Sequence, residues 1–316
     1  MTHEGLPLPF HTGTTVVVYS GRSREGMDVS ANGVPALAAE DLTGTRLVCH
    51  ACARLMGGWT ASCRSRRKHW WQLSLRPSVR GARTGLLHAG TVDFELELDL
   101  AAAKLLCETA DGFRYQGALS ETPVEQLAHE VAEFLREQGL PSDYVPMYPE
   151  EGHDSLALGS GGDYVAEIGC EFAAVWRFID SAMDEFRACV PEEMSPIMLW
   201  PGHFDLAMMW LAGEKILGQD PTDEEHSDKQ MNFGFSFGDQ LLPAPYFYVT
   251  AYPMPEGFPS LSLPAGARWQ DEGFSGVVLD YSALENRTDP RGDLLELWNF
   301  LIDIGRQQML ARETGG

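Results

Sequence analysis

The sequence predicts an α+β fold of two pseudo-repeated halves, each helix, antiparallel sheet, helix, packed around a shared core or cleft. Three observations carry this. In "TVDFELELDL", Val92, Phe94, Leu96, Leu98 and Leu100 alternate with Asp93, Glu95, Glu97 and Asp99, which marks a strand with one wet face and so an antiparallel sheet. Ile168, Phe172, Val175, Trp176, Ile179, Met183, Phe186 and Val190 form one helical stripe that Pro191 ends. After it come five strand-like stretches, "PIMLW", "HFDLAMMWLAG", "MNFGFSFG", "PYFYVTAYP" and "SGVVLDY". A last helix starts near Asp293 with Leu294, Leu297, Trp298 and Leu301 inward.

The remaining elements follow in order. Residues 1–40 read as an irregular lead-in with one short strand, Thr15–Tyr19. The first half, 41–147, opens with a helix over Leu42–Leu55, with Val48, Cys52, Leu55 and Trp59 on one stripe and Gly57-Gly58 as its end. "HWWQLSL" (69–75) and Arg83–Ala89 read as strands, and "KLLCETADG" with "FRYQGAL" as a hairpin joined at Asp111-Gly112. A closing helix has Thr122 as N-cap, Pro123 at its first position and Glu125 completing a capping box. Its stripe is Val124, Leu127, Val131, Phe134 and Leu135, and Gly139 stops it. Residues 148–163 are Gly/Ser-rich and read as the linker to the second half, 164–316, with Asp163 placed to cap the next helix.

Composition narrows the function classes. Of 316 residues, 44% are hydrophobic and 22% charged, as a globular core needs. No apolar run reaches the roughly 18 residues of a membrane span, and the N-terminus lacks a signal-peptide pattern. A soluble, cytoplasmic protein is expected, with no membrane partner. The six cysteines are then buried small hydrophobes. The formal charge of -23 is uneven: residues 42–83 hold nine of the 23 Lys/Arg and none of the 46 Asp/Glu. So acidic a body repels polyanions, which argues against nucleic acid as the main partner. The basic segment fits a local anion site, an intramolecular charge match, or a solvated strand edge.

The candidate site residues come from residue type and inferred face. On a 69–75 strand, His69 and Trp71 share the apolar face. His69 is then either a core histidine on a carbonyl or an imidazole available as base or metal ligand. His50 lies opposite the first helix's core stripe, with Arg46, Arg54 and Gly57, and either meets water or lines a cleft. The CxxC at Cys49–Cys52 has no second pair and sits mid-helix, so it reads as core. His203 and Asp205 at i, i+2 suit two metal ligands, a His–carboxylate pair, or separate structural hydrogen bonds. Tyr246, Tyr248, Thr250 and Tyr252 share one face of a strand, as a ligand wall or an inter-sheet core. The acidic run 218–230 reads as a mobile surface loop, conceivably a lid. No Gly-rich phosphate loop or zinc-protease helix is present in the sequence.

These stretches together resemble the bacterial proteins of the domain-of-unknown-function 5996 family. The matching residues are "HACARLMG" (50–57), "HWW" (69–71), "GHFDLA" (202–207), "GFSFG" (234–238), "PAPYFYVTAYPMPEGF" (243–258), "LDYSAL" and "DPRGDLLELW". They run in the family's order from about residue 42 to 300. The chain departs from the family's usual residues at Arg54, Gly58, Lys68 and His203. The resemblance draws attention to His50, His69, Trp71, Asp205, Tyr248 and Tyr252, and implies no reaction, cofactor or metal.

Two function classes remain. One is an enzyme acting on a small anionic or carboxylated molecule in an aromatic cleft between the halves. In it, His69 is the general base, or a ligand with His50 and Asp205. Trp71, Arg54, Tyr246, Tyr248 and Tyr252 bind the substrate. The other is a non-catalytic protein that holds a small molecule, or a second copy of itself, on the same face.

Overall fold

The computed structural model describes residues 33–37, 41–142, 144, 146 and 163–310. The lead-in strand at 15–19 and the linker at 148–162 lie outside them. Helix α1, Thr43–Cys63, runs through Gly57-Gly58 instead of ending there. Two glycines cost about 1 kcal/mol each in a helix interior. Burying Trp59 and Thr60 beyond them outweighs that, since Trp59 is sealed between Phe94 and Tyr144.

Among the described residues the first sheet has six strands: β1 Arg76–Pro77, β2 Gly81–Arg83, β3 Leu87–Ala89, β4 Val92–Asp99, β5 Lys104–Thr109 and β6 Arg114–Ala118. Their order is β1-β2-β4-β5-β6 with β3 also on β4, and every pairing is antiparallel. The predicted strand 83–89 is thus broken into two pieces, with Gly85 at the break. Along β4 the alternation holds: Val92, Phe94, Leu96 and Leu98 are buried, and α1 packs on β3 and β4. Helix α2, Val124–Glu137, covers β6. Its capping box does not form. Pro123 is the N-cap residue without a side-chain bond, and the Thr122 N–H is taken by the Ala118 carbonyl.

Helix α3, Ala166–Cys189, buries the predicted stripe from Ile168 to Phe186. Asp163 does not cap it: Val165 is the N-cap, and its N–H donates to Thr45 Oγ1 of α1 instead. The second sheet contains β7 Glu193–Met194, β8 Met198–Trp200, β9 Asp205–Lys215, β10 Asp228–Ser236, β11 Tyr246–Tyr252, β12 Arg268–Gln270 and β13 Gly276–Asp280. Its order is β12-β13-β11-β10-β9-β7, with β8 on β9, again antiparallel. Short helices α4, Glu224–Ser227, and α5, Ser282–Glu285, precede the last helix, α6, Pro290–Met309, whose N-cap Asp289 accepts from the Gly292 N–H. Helix α6 packs on β10 and β11, while α3 touches β1 and β2 of one sheet and β9 of the other.

In chain order each antiparallel sheet is flanked by two long helices, and these touch each other, α1 with α2 and α3 with α6. The sheets have six and seven strands, and a duplication does not follow from that order alone. One continuous apolar core spans both halves, and a bridge between Leu75 and Leu199 ties one sheet to the other.

The segment "KHWWQL" is a correction to the sequence reading. Lys68–Leu73 forms a 3-10 turn, not a strand, with His69 (φ 49°) and Trp70 (φ 58°) in the left-handed region. Contacts with the second half hold it there. Glu224 Oε2 accepts from the His69 backbone N–H and, at 3.1 Å, from Arg66 Nη2. Asp228 binds Lys68 at 3.0 Å, His69 Nε2 at 2.8 Å and Lys215 at 2.6 Å. The basic segment is thus an intramolecular charge match. The acidic run 218–230 is not a detached loop: it supplies α4 and the start of β10 to that match.

Candidate functional site

A cavity of about 770 Å³ opens between α1 and the second sheet. Three local features build it. Helix α1 supplies Arg46, Leu47 and His50, the face opposite its core stripe. Strand β11 supplies Tyr246, Tyr248 and Thr250, its polar face, while Phe247 and Val249 turn into the core. The tight β8–β9 connection supplies Gly202–Asp205.

That connection is strained where it meets α1. Phe204 has φ 56°, which costs a non-glycine residue about 1–2 kcal/mol. The conformation is held by packing: the buried Phe204 ring stacks on His50 at 5.6 Å and also meets Trp176 and Phe237. It also aims the Gly202 carbonyl at His50 Nε2, 2.8 Å away. A carbonyl only accepts, so Nε2 carries the proton and Nδ1 the lone pair. Burial drives the His50 pKa down to about 4, with nearby Arg54 and His203 acting in the same sense and the Gly202 bond opposing. His50 is neutral at pH 7.

The floor is made by two phenol–carboxylate pairs. Tyr248 Oη donates to Asp205 Oδ2, and Tyr246 Oη donates to Asp239 Oδ2 at 2.7 Å. Burial first, and the neighbouring carboxylates second, push both phenols above their ordinary pKa. Gly234, directly opposite Tyr248 in the β10–β11 register, makes room for the ring: a Cβ there would lie 2.2 Å from Tyr248 Cζ. At the roof, Asp239 Oδ1 accepts from the Leu241 and Leu242 N–H groups. Gly238, at φ 100°, turns the chain so closely over Pro243 that no side chain fits. Arg46 Nη1 donates to the Gly238 carbonyl at 2.7 Å.

The sequence-derived residues divide into groups. His50, Asp205, Tyr246 and Tyr248 come together around the cavity. Arg54 acts on His50 electrostatically but is not part of the lining. His203 is at the rim. His69 and Trp71 do not face this cavity; their rings stack at 6.2 Å beside Asp228. Asp228 and Ser236 are opposite ends of β10, and Ser236 is paired with Asp205. A nine-residue strand spans roughly 26 Å, so the expected meeting of His69 with Tyr248 does not occur. Tyr252 meets His226 of α4, with ring centroids 5.5 Å apart, near the His69 end. Sequence reasoning missed Asp239, Leu47 and Phe274 as lining residues. "GFSFG" pointed to the right loop, but no periodicity marks Asp239 or Phe274.

Among the described residues, no group of three or more His, Cys, Asp or Glu is arranged to hold a metal ion. Nor is any helix among them long and apolar enough to cross a membrane.

Fold and site together define an α+β protein with two antiparallel sheets and a sizeable lined cavity beside the second. The chain belongs to the DUF5996 family, a family of unknown function, whose sequence model matches residues 34–304. No curated protein and no solved structure matches the chain significantly.

Proposed function

We propose that this protein binds a small organic molecule in the cavity between α1 and the second sheet. The observation that carries the reading is the lining. About 770 Å³ of concave space is walled by Leu47, Leu241, Phe204 and Phe274 and floored by convergent polar groups, which is the make-up of small-molecule sites. The basic segment 42–83 suggests an anionic ligand, but its Arg66 and Lys68 are engaged by Glu224 and Asp228. The ligand's charge must be argued from the lining instead.

Binding is favoured over acid–base catalysis by His50. A base with pKa about 4 whose N–H is committed to a carbonyl is poorly matched to proton transfer near pH 7. A catalytic reading draws on one observation, the Asp205–Tyr248 pair within the same cavity. In it, Asp205 would take a proton and Tyr248, its phenol held protonated, would donate a hydrogen bond to substrate.

A ligand screen by thermal shift and native mass spectrometry tests the proposal, with Leu47→Trp as the cavity-filling control. Stabilising ligands should lose affinity at least about tenfold in Leu47→Trp while its far-ultraviolet spectrum is unchanged. Ligands that bind both proteins equally would place binding elsewhere and end the reading.

A further inference from the structure

The contacts with the second half take up only part of the basic segment, and the rest gathers at one corner of the first sheet. We propose that Arg64, Arg67 and Arg76 form a second binding site there, separate from the cavity, for a small, multiply charged phosphate compound.

The pairing of charges is the first argument. Residues 42–83 carry nine Lys/Arg and no carboxylate. Arg66 and Lys68 are met by Glu224 and Asp228, Arg80 by Asp99 and Arg83 by Glu95. Among the described residues, Arg64, Arg67 and Arg76 have no carboxylate partner.

Geometry brings these three together. Arg64 Nη1 donates to the Ser74 carbonyl at 3.2 Å and the Gln72 carbonyl at 3.4 Å, and its Nη2 donates to the Thr84 carbonyl. Arg76 of β1 lies directly opposite Arg83 of β2, and residues so placed point to the same face. Ser74 and Thr84 lie just beyond that rung, so the Arg64 guanidinium is fixed at the end of the ladder, next to the two arginines. The Arg67 N–H donates to Gln72 Oε1 at 2.8 Å, which ties Arg67 to the same corner. Burial first, and then the Arg67 and Arg76 charges, lower the Arg64 pKa, with Cys63 and Glu95 opposing. The carboxylates on the adjoining β4 are Glu95, on Arg83 at 3.6 Å, and Glu97, which accepts from Ser78 Oγ. Four guanidiniums therefore face two carboxylates. Like charges held opposite one another destabilise a sheet, and a bound anion would cancel that repulsion.

The chemistry of the donors selects the ligand. A guanidinium fork pairs with two phosphate oxygens at once. Arg64 is already immobilised by its carbonyls, so binding orders little beyond the exposed Arg67 and Arg76. Several cations call for a ligand of more than one negative charge, while the acidic body of the chain repels long polyanions. At about 1.5 Å per residue, Arg64 lies roughly 21 Å along α1 from His50, so this site and the cavity are distinct.

Pyrophosphate is the probe, titrated into the full chain at low ionic strength by calorimetry or phosphorus nuclear magnetic resonance. One saturable site is expected. Arg67→Gln and Arg76→Gln should each weaken it at least about tenfold. Arg114→Gln removes the same charge from the exposed Glu108 pair on β6 and should leave the affinity unchanged. Absence of saturable binding at millimolar pyrophosphate overturns the proposal, as does equal weakening by all three substitutions, which would mean diffuse attraction. Leu47→Trp should bind pyrophosphate as the parent does; loss there would move the anion into the cavity and overturn this site while leaving the cavity reading intact. Without ligand, Arg76→Gln should raise the thermal midpoint at low salt by relieving repulsion. A lowered midpoint would show that Arg76 already has a partner, and the proposal would fall.

Discussion

At the scale of the residue, small groups decide what the cavity is. Gly234 is needed because the Tyr248 ring occupies the space of its missing side chain. Gly234→Ala should destabilise the fold by about 1–3 kcal/mol through overpacking, read from urea denaturation. It should also displace Tyr248 from Asp205; an unchanged midpoint would refute the close approach. His50 makes a pH prediction. Its folded pKa, about 4, lies below its ordinary 6.5. Between those values the unfolded chain binds a proton that the folded chain refuses, so stability falls as pH drops from 6.5 towards 4. The loss is about 3 kcal/mol at most. His50→Gln, which keeps a donor for the Gly202 carbonyl, should flatten that part of the stability–pH curve. A curve of unchanged slope would show that His50 is not the group responsible.

At the scale of the element, the turn Lys68–Leu73 is fastened by ion pairs that differ in worth. Arg66–Glu224 is exposed, with 42% of the arginine side chain accessible, and its loss should cost under about 1 kcal/mol. Asp228 is only 8% accessible and is shared by Lys68, His69 and Lys215. Burial alone would raise its pKa, but those three partners carry it down to about 2. A carboxylate depressed this way stabilises the fold above its unfolded pKa near 3.8 and loses that contribution as pH falls through about 2. Asp228→Ala should therefore cost more, about 3 kcal/mol, and leave less stability to lose between pH 4 and 2. Equal effects of Arg66→Ala and Asp228→Ala in thermal melts would contradict the ranking. The same element shows why the sequence misled. "HWWQLSL" has the residue types of a strand, and β propensity yields to context. The partners that fix the turn lie over 150 residues away.

At the scale of the whole molecule, the two halves share α3, the Leu75–Leu199 bridge and one core. They should unfold in a single transition, with calorimetric and circular-dichroism midpoints coinciding. Two separated transitions would mean that the sheets are independent units. The high net charge of -23 adds a condition. Moderate salt should raise the midpoint by screening self-repulsion, even while it weakens the exposed Arg66 pair.

The sequence by itself determined the elements whose signal is local. The β4 alternation, the α3 stripe, five of the seven described strands of the second sheet (all but β7 and β12) and the helix face bearing His50 follow from periods of 2 and 3.6, which burial imposes within one segment. The tertiary structure alone decided the rest: that α1 runs on through Gly57-Gly58, that His69 turns to Asp228, and that Asp239 and Phe274 join Asp205 and Tyr248 around one cavity. Those outcomes depend on contacts between segments distant in the chain, and a periodicity measured inside one segment carries no information about which other segment will face it.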